Sequence, residues 1–335
     1  MTYTDRKRLL LAWGQARNST ALLFVTGDRP GLETQIHPEV LDFFAQHLDG
    51  IGTPETISLF LHTRGGSTLA AWSLVNLLRQ FSRRLEIIVL SKAHSAGTLM
   101  CLGADSIMMT RQATLGPIDP SVNGPLNPEI PGAPPQQRAP VSVEAINGYL
   151  AFAKNEIGLN SGEAKLAVLR SLADRVHPLV LGEVYRSRAQ IRMLGQRLIQ
   201  RQLTDKARVK KVLDFLCSES GSHDYTIYRQ EARDELGLKV ERPDDALYAI
   251  IRDIYRSYAT EMAFGIPLNA EAVLAGQPQA QYSHVRALIE STAGGSHRFI
   301  SEGTYTRQQI QVPPGIVQNA IADSRTFEGW RHGTG

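Results

Sequence analysis

The sequence predicts an α/β fold built around parallel strands, and three stretches carry the prediction. Residues 56–62 (Thr-Ile-Ser-Leu-Phe-Leu-His) and 85–90 (Leu-Glu-Ile-Ile-Val-Leu) are short, nearly continuous apolar runs, the pattern of strands buried on both faces. Residues 68–81 between them are apolar at helical spacing, so the three make a strand–helix–strand unit. Such a unit closes by a right-handed crossover and gathers its loops at the strand carboxyl ends, where ligands of parallel sheets bind.

The other elements follow in order. Residues 1–18 read as a helix or arm, and Ala21–Val25 as a buried strand. His37 to Leu48 has helical spacing, with Val40, Leu41, Phe44 and Leu48 on one face. Ala96 to Gly103 is a short small-residue helix, and Ser106–Met109 a short strand. Residues 116–140 are rich in proline, Asn and Gly and predict a long irregular lid or substrate loop. Helices are expected over Val143–Ile157, Glu163–Arg175 and Tyr228–Leu236, the last closed by Gly237. The long helical stretch 181–218 is expected to break near 204–205, with Thr204 capping its second part.

Past residue 241 the character changes. Asp244 to Phe264 is strongly amphipathic, and residues 286–291 and 298–303 flank a Thr-Ala-Gly-Gly-Ser turn signal, as in a β-hairpin. The expected organisation is therefore a main domain over 1–241 and a C-terminal extension over 242–335, packed on the core or on a neighbouring subunit.

Composition excludes several functions. A net charge of +3 over 335 residues, without a long Lys/Arg block, argues against a nucleic-acid partner. Arg186, Arg188, Arg192, Arg197 and Arg201 read as a solvated helix face or subunit contact. The apolar run Leu9–Trp13 is too short for a signal-peptide core and no stretch is long enough to span a membrane, so a cytoplasmic protein is expected. Two cysteines, Cys101 and Cys217, give no disulfide framework. No His-x-x-x-His pairing or phosphate-binding glycine loop occurs, so neither metal nor cofactor is expected.

Two loops carry the chemistry. Ser95 stands between a predicted strand and a small-residue helix, a position that suits a plain N-cap and equally suits a nucleophile. Behind it, Ala96 offers an N–H at the positive end of the helix, and Gly97 has no side chain to obstruct a carbonyl. Gly65-Gly66 directly follows the preceding strand, where glycines turn N–H groups into a cleft without a Cβ in the way.

In order, His62-Thr-Arg-Gly-Gly-Ser, Ala93-His-Ser-Ala-Gly-Thr, Ala104-Asp-Ser-Ile and Leu115-Gly-Pro-Ile-Asp-Pro resemble the serine dehydrogenase proteinase family. That family is related to the Clp protease proteolytic subunit and to signal peptide peptidases of the Ser–Lys type. The resemblance spans about residues 20–240 and is strongest over 56–125. It implies a ClpP/crotonase-like spiral of ββα units, here with a helical and β-hairpin extension, and a serine peptidase acting on polypeptides as a homo-oligomer. By the same resemblance Ser95 matches the nucleophile, and Gly65, Gly66 and Ala96 the oxyanion-hole backbone. Whether an ATPase partner feeds substrate is left open.

The general base is not fixed by the resemblance. The Clp subunit uses a histidine in the strand after the nucleophile helix, and Thr114–Pro120 contains none. Lys154, Lys165 and Lys92 do not match the family lysine motif. His223, in Ser-Gly-Ser-His-Asp-Tyr with Asp224 to orient it, and His177 before Pro178 are the leading choices. His94 and His62 lie close in sequence to the two loops, and Asp119 suits a structural role in the proline loop. Two other readings stay open: a crotonase-like acyl-CoA hydratase or thioesterase, and an inactive scaffold.

Overall fold

The structure, a computed structural model, describes residues 2–118, 121–134, 136–219, 222, 224–312 and 316–333. The chain starts with α1 (Tyr3–Arg17), β1 (Thr20–Thr26), α2 (Val40–Ile51), β2 (Thr56–Thr63) and α3 (Thr68–Phe81). It continues with β3 (Arg84–Ala93), α4 (Ala96–Leu102), β4 (Ser106–Met109) and β5 (Thr114–Leu115). Then come β6 (Ser121–Val122), β7 (Val141–Ser142), α5 (Val143–Asn155), α6 (Gly162–Ala173), α7 (Pro178–Leu198), α8 (Lys206–Asp214) and β8 (Ile227–Tyr228). The remainder is α9 (Arg229–Asp234), β9 (Val240–Glu241), α10 (Asp245–Glu261), α11 (Ala270–Leu274), β10 (Gln279–Ser291), β11 (Gly295–Val312) and β12 (Ile316–Gly333).

These elements form two compact units, Met1–Leu115 with Tyr228–Gly335, and Gly116–Ile227. The division differs from the boundary expected near residue 241, because the C-terminal strands join the first unit's sheet. That sheet runs β12-β11-β10-β1-β2-β3-β4-β9, with β5 beside β3. From β1 to β9 every neighbouring pair is parallel, as the strand–helix–strand pattern predicts. The addition is β10, which pairs antiparallel to β1 with Leu22 opposite Ser291 and Thr26 opposite Ala287.

Both faces of the parallel strands are covered, which explains their unbroken apolar runs. Alternate residues point to opposite sides. Leu23 and Val25 of β1 join Leu10 and Trp13 of α1 and Ile251, Ile254 and Tyr258 of α10 in one core cluster. Phe24 points the other way and meets Phe44 of α2 edge-on, with ring centroids 5.3 Å apart.

The expected hairpin is present but longer than its sequence signal. β10 and β11 pair from Gln279↔Thr306 to Ser291↔Gly295, and β12 adds a strand that the sequence reading does not contain. Residues such as Arg307, Gln308 and Gln309 in this ribbon are exposed, so it lacks the alternating apolar face that marks a half-buried strand. In the second unit, β6 and β7 pair antiparallel and Val122, Val141, Val143, Val176, Val180 and Val184 form its core. Asp205, not Thr204, caps α8: its side chain accepts the Arg208 N–H at 2.7 Å, the stronger use of a carboxylate at a helix start.

The join between the C-terminal strands and α1 rests on a buried ion pair. Arg6 is fully buried; its Nε and Nη2 donate to both carboxylate oxygens of Glu290 at 2.7 and 2.6 Å. Its Nη1 donates to Ser257 Oγ and Glu261 Oε2 of α10. One guanidinium thus links α1, α10 and β10. Arg6→Met should lower the unfolding free energy by about 3–5 kcal/mol, since it strands the Glu290 carboxylate away from water. Adding Glu290→Gln to that variant should recover part of the loss; urea denaturation of the two variants measures both effects.

Candidate active site

Parallel pairing of β2 and β3 places the loops that follow them side by side. Thr63 lies opposite Ala93, and the His94 N–H donates to the Thr63 carbonyl at 3.1 Å. β3 then turns sharply into α4. Ser95 occupies the turn with φ 52 and ψ −114, one of four non-glycine residues with positive φ among the described residues. A side chain held there costs on the order of 1–3 kcal/mol and persists only where the surroundings impose it. The Gly97 N–H to His94 carbonyl bond (2.8 Å) and the Thr98 hydroxyl to Ala93 carbonyl bond (2.8 Å) impose it. The side chain does not act as the N-cap that its position also allowed: it accepts no hydrogen bond from the helix backbone. Strained residues of this kind cluster at functional sites.

Gly65 and Gly66 make the facing turn, with φ +115 and +138. A Cβ on Gly65 would stand 2.8 Å from Ser95 Cβ, so the two loops touch only because residue 65 has no side chain. A Cβ on Gly66 would meet the backbone N and O of Ile36 at 2.5 Å. Ile36 clamps this turn: its N–H donates to the Gly65 carbonyl at 2.8 Å, and its carbonyl accepts from the Ser67 N–H at 2.8 Å. In a planar trans peptide the C=O and N–H point opposite ways, so the Gly66 N–H is directed away from Ile36.

The three backbone N–H groups expected at an oxyanion site are not equivalent. That of Gly65 donates to Thr63 Oγ1 at 3.0 Å, a hydroxyl that also accepts from Thr26 Oγ1 at 2.8 Å. Those of Gly66 and Ala96 have no partner among the described residues.

A charged network, which the sequence reading does not contain as such, joins the carboxyl ends of β1, β2 and β3. Lys92 Nζ lies 2.6 Å from Asp28 Oδ2, and Arg64 Nη1 lies 3.9 Å from Oδ1. His62 is buried, with Nδ1 3.1 Å from the Tyr258 hydroxyl and Nε2 3.7 Å from Asp28, too far for a hydrogen bond. Burial would raise the Asp28 carboxyl, but the adjoining His62 and Lys92 outweigh it and hold it down at about 2. Burial lowers the His62 imidazole, with the neighbouring carboxylate opposing, so the ring is neutral at pH 7. Asp28 could have been suspected from its place just after a predicted strand, in Gly-Asp-Arg-Pro-Gly.

The proposed bases fare differently. His94 Nε2 lies 2.9 Å from Thr114 Oγ1, and Lys92 and His62 belong to the Asp28 network. In the second unit, His177 caps α7, its Nδ1 accepting from the Leu179 N–H at 3.2 Å, and Lys154 and Lys165 are exposed. Asp224 is exposed, and its N–H donates to Ser222 Oγ at 3.2 Å. His223 and Asp119 lie outside the described residues. Among the described residues no group of three or more His, Cys, Asp or Glu is placed to hold a metal ion, and no helix is long and apolar enough to cross a membrane.

The segment with this geometry has known relatives. Residues 51–134 match the family model of ClpP-like SDH-type serine proteinases. That span holds both glycines, Ser95 and Ala96. Two uncharacterized proteins of Methanocaldococcus jannaschii are also similar. One is 28% identical over 55% of this chain and 53% of its own length; the other is 38% identical over 21% of this chain and 25% of its own. The chain therefore spans about half the length of the first and a quarter of the second. Among solved structures, the 1510-N membrane-bound stomatin-specific protease is 17% identical over 69% of this chain and 84% of that chain, with a TM-score of 0.36. ClpP1 from Listeria monocytogenes is 12% identical over 71% of this chain and 99% of that chain, also at 0.36. Likenesses of that size add nothing to the fold, which rests on the strand order.

Gly65→Ala should destabilise the protein by about 1–3 kcal/mol, through contact with Ser95 and strain at positive φ, and thermal unfolding measures it. Because the folded Asp28 carboxyl is depressed, its stabilisation is complete above the unfolded value near 3.9. It is lost as pH falls toward about 2. Asp28→Asn should therefore flatten the fall in unfolding free energy between about pH 4 and 2; an unchanged slope would count against the network.

Proposed function

We propose that this chain is a serine peptidase that cleaves polypeptides by acyl transfer to Ser95 Oγ. The observation that carries the reading is the strained φ of Ser95, held against the Cβ-less face of Gly65 within the matched span. Nothing in a purely structural serine calls for that conformation, whereas an attacking hydroxyl has to stand clear of the helix it begins.

In this reading the Gly66 and Ala96 N–H groups receive the oxyanion that develops as Ser95 attacks the scissile carbonyl. Gly65 contributes its missing side chain, its own N–H being taken by Thr63. Two donors without internal partners suit a transient acceptor, since each is unsatisfied only until the charge forms. The base is His223, oriented by Asp224: it takes the Ser95 proton and returns it to the leaving amine. Supporting that choice, Lys92 Nζ is held against Asp28 at 2.6 Å. His62 is buried in the Asp28 network, and His94 is engaged by Thr114. His177, the other candidate, serves as a helix cap. The active form is a homo-oligomer, for which the exposed Leu166, Leu169, Leu179 and Tyr185 of the helical unit supply apolar surface.

Labelling by a fluorophosphonate probe tests the reading. The parent should label, Ser95→Ala should not, and His223→Ala should label at least about a thousandfold more slowly. An unreactive Ser95 with turnover of CoA esters would make the chain an acyl-CoA enzyme. An unreactive Ser95 with no turnover would make it a scaffold.

A further inference from the structure

A second site lies at the carboxyl ends of β4 and β9, distinct from the Ser95 loops. The two strands are parallel neighbours, with Ile107 opposite Val240 and Met108 opposite Glu241. The residues that leave them are therefore adjacent: Thr110-Arg111 after β4 and Arg242-Pro243 after β9. With Arg229, Asp245 and Tyr248 they line a cavity of about 200 Å3. The carboxyl ends of neighbouring parallel strands, next to the start of the following helix (here α10), are where α/β sheets bind ligands.

The charges in this cavity are unbalanced. Arg111, Arg229 and Arg242 make no ion pair with a carboxylate among the described residues, and the one hydrogen bond given by any of them is Arg229 Nη1 to the Met109 carbonyl at 3.3 Å. Nearby Arg233 is different, since Asp234 neutralises it at 2.7 Å. Partial burial and then the neighbouring cations lower the Arg229 guanidinium from its ordinary value, the mark of like charges held together. Asp245, at the start of α10, is the carboxylate among the lining residues.

An independent observation points to a ligand. Thr110 is 1% exposed and lines the cavity, yet its Oγ1 has no hydrogen-bond partner among the described residues. A buried hydroxyl left unsatisfied is costly, and here it stands among three cations that share the same need for an acceptor.

We propose that this cavity binds a phosphate-class oxyanion, with Arg111, Arg229 and Arg242 as its cationic partners and Thr110 Oγ1 as a further donor. A tetrahedral anion presents acceptors in several directions, which suits guanidiniums arriving from β4, β9 and α9, whereas a lone carboxylate is matched by a single guanidinium fork. The volume admits a phosphoryl group with a few further atoms and is below the range of sites for drug-sized ligands. The ligand is therefore free phosphate or a small phosphomonoester.

Isothermal titration of the full-length protein tests this with inorganic phosphate and with glycerol 3-phosphate, at ionic strength matched with chloride. One site per chain is expected, and Arg111→Gln with Arg242→Gln should weaken it at least about tenfold. Thr110→Val should leave the melting temperature without phosphate unchanged or higher, because it removes an unsatisfied group, while weakening phosphate binding. Equal affinity for the two probes assigns the site to the free anion, and tighter monoester binding assigns it to a phosphorylated metabolite. Phosphate binding no better than chloride, or undiminished in the double arginine variant, overturns the proposal. Peptidase labelling at Ser95 is a separate readout, so failure of one reading leaves the other standing.

Discussion

The candidate site depends on two turns meeting with no side chain between them. The loop after β2 and the loop after β3 touch at Gly65 and Ser95, where a single Cβ on residue 65 would fall 2.8 Å from Ser95 Cβ. That contact is available only because β2 and β3 are parallel neighbours in register, which brings their carboxyl ends to the same level. Gly97 answers a similar constraint on the other side: a Cβ there would stand 2.5 Å from Thr63 Cγ2, so α4 packs on β2 only with glycine at that position. The strain at Ser95 is thus maintained by packing and backbone hydrogen bonds that involve both strands.

Around that contact, polar groups divide into those that are satisfied and those that are open. Thr63 Oγ1 accepts from Thr26 and from Gly65, and Ile36 holds the Gly65 carbonyl, so most of the turn is already bonded. The Gly66 and Ala96 N–H groups are the exceptions within the described residues. Beside them, Asp28 ties the strand ends together by charge with Lys92 and Arg64, and the buried His62 ring lies against it. Rigid surroundings with a few unmet donors are what preorganised electrostatic stabilisation requires. The same logic, at the ends of β4 and β9, leaves three guanidiniums without a carboxylate partner and the Thr110 hydroxyl without an acceptor among the described residues.

The C-terminal segment is part of this frame. β10 extends the sheet beyond β1, and the Arg6–Glu290 pair locks it to α1 and α10. Tyr258 of α10 reaches His62, so the segment that the sequence reading set apart from the main domain touches the network beside the candidate site. The buried pair costs desolvation, which its bidentate geometry and the Ser257 and Ser296 hydroxyls offset.

Local patterns made much of this legible in advance. The strands 56–63 and 84–93 announce themselves because both faces are buried, and helix 68–81 because its apolar residues keep helical spacing. Ser95 and the two glycines stand out because turn chemistry restricts which residues can follow a strand so abruptly. Long-range relations left no such mark. That the Gly65 carbonyl is held and the Gly66 N–H directed away depends on Ile36, some thirty residues earlier in the chain. That Asp28 meets Lys92, and that Arg111 meets Arg229 and Arg242, depends on strand order. The third strand of the C-terminal ribbon leaves no periodic mark in the sequence because it buries too little apolar surface. Sequence alone determined most of the elements and singled out the Gly65-Gly66 and Ser95 turns, since propensity, turn chemistry and burial period are local properties. The partners of each polar group were decided by tertiary pairing, because hydrogen bonds and ion pairs depend on distance in space.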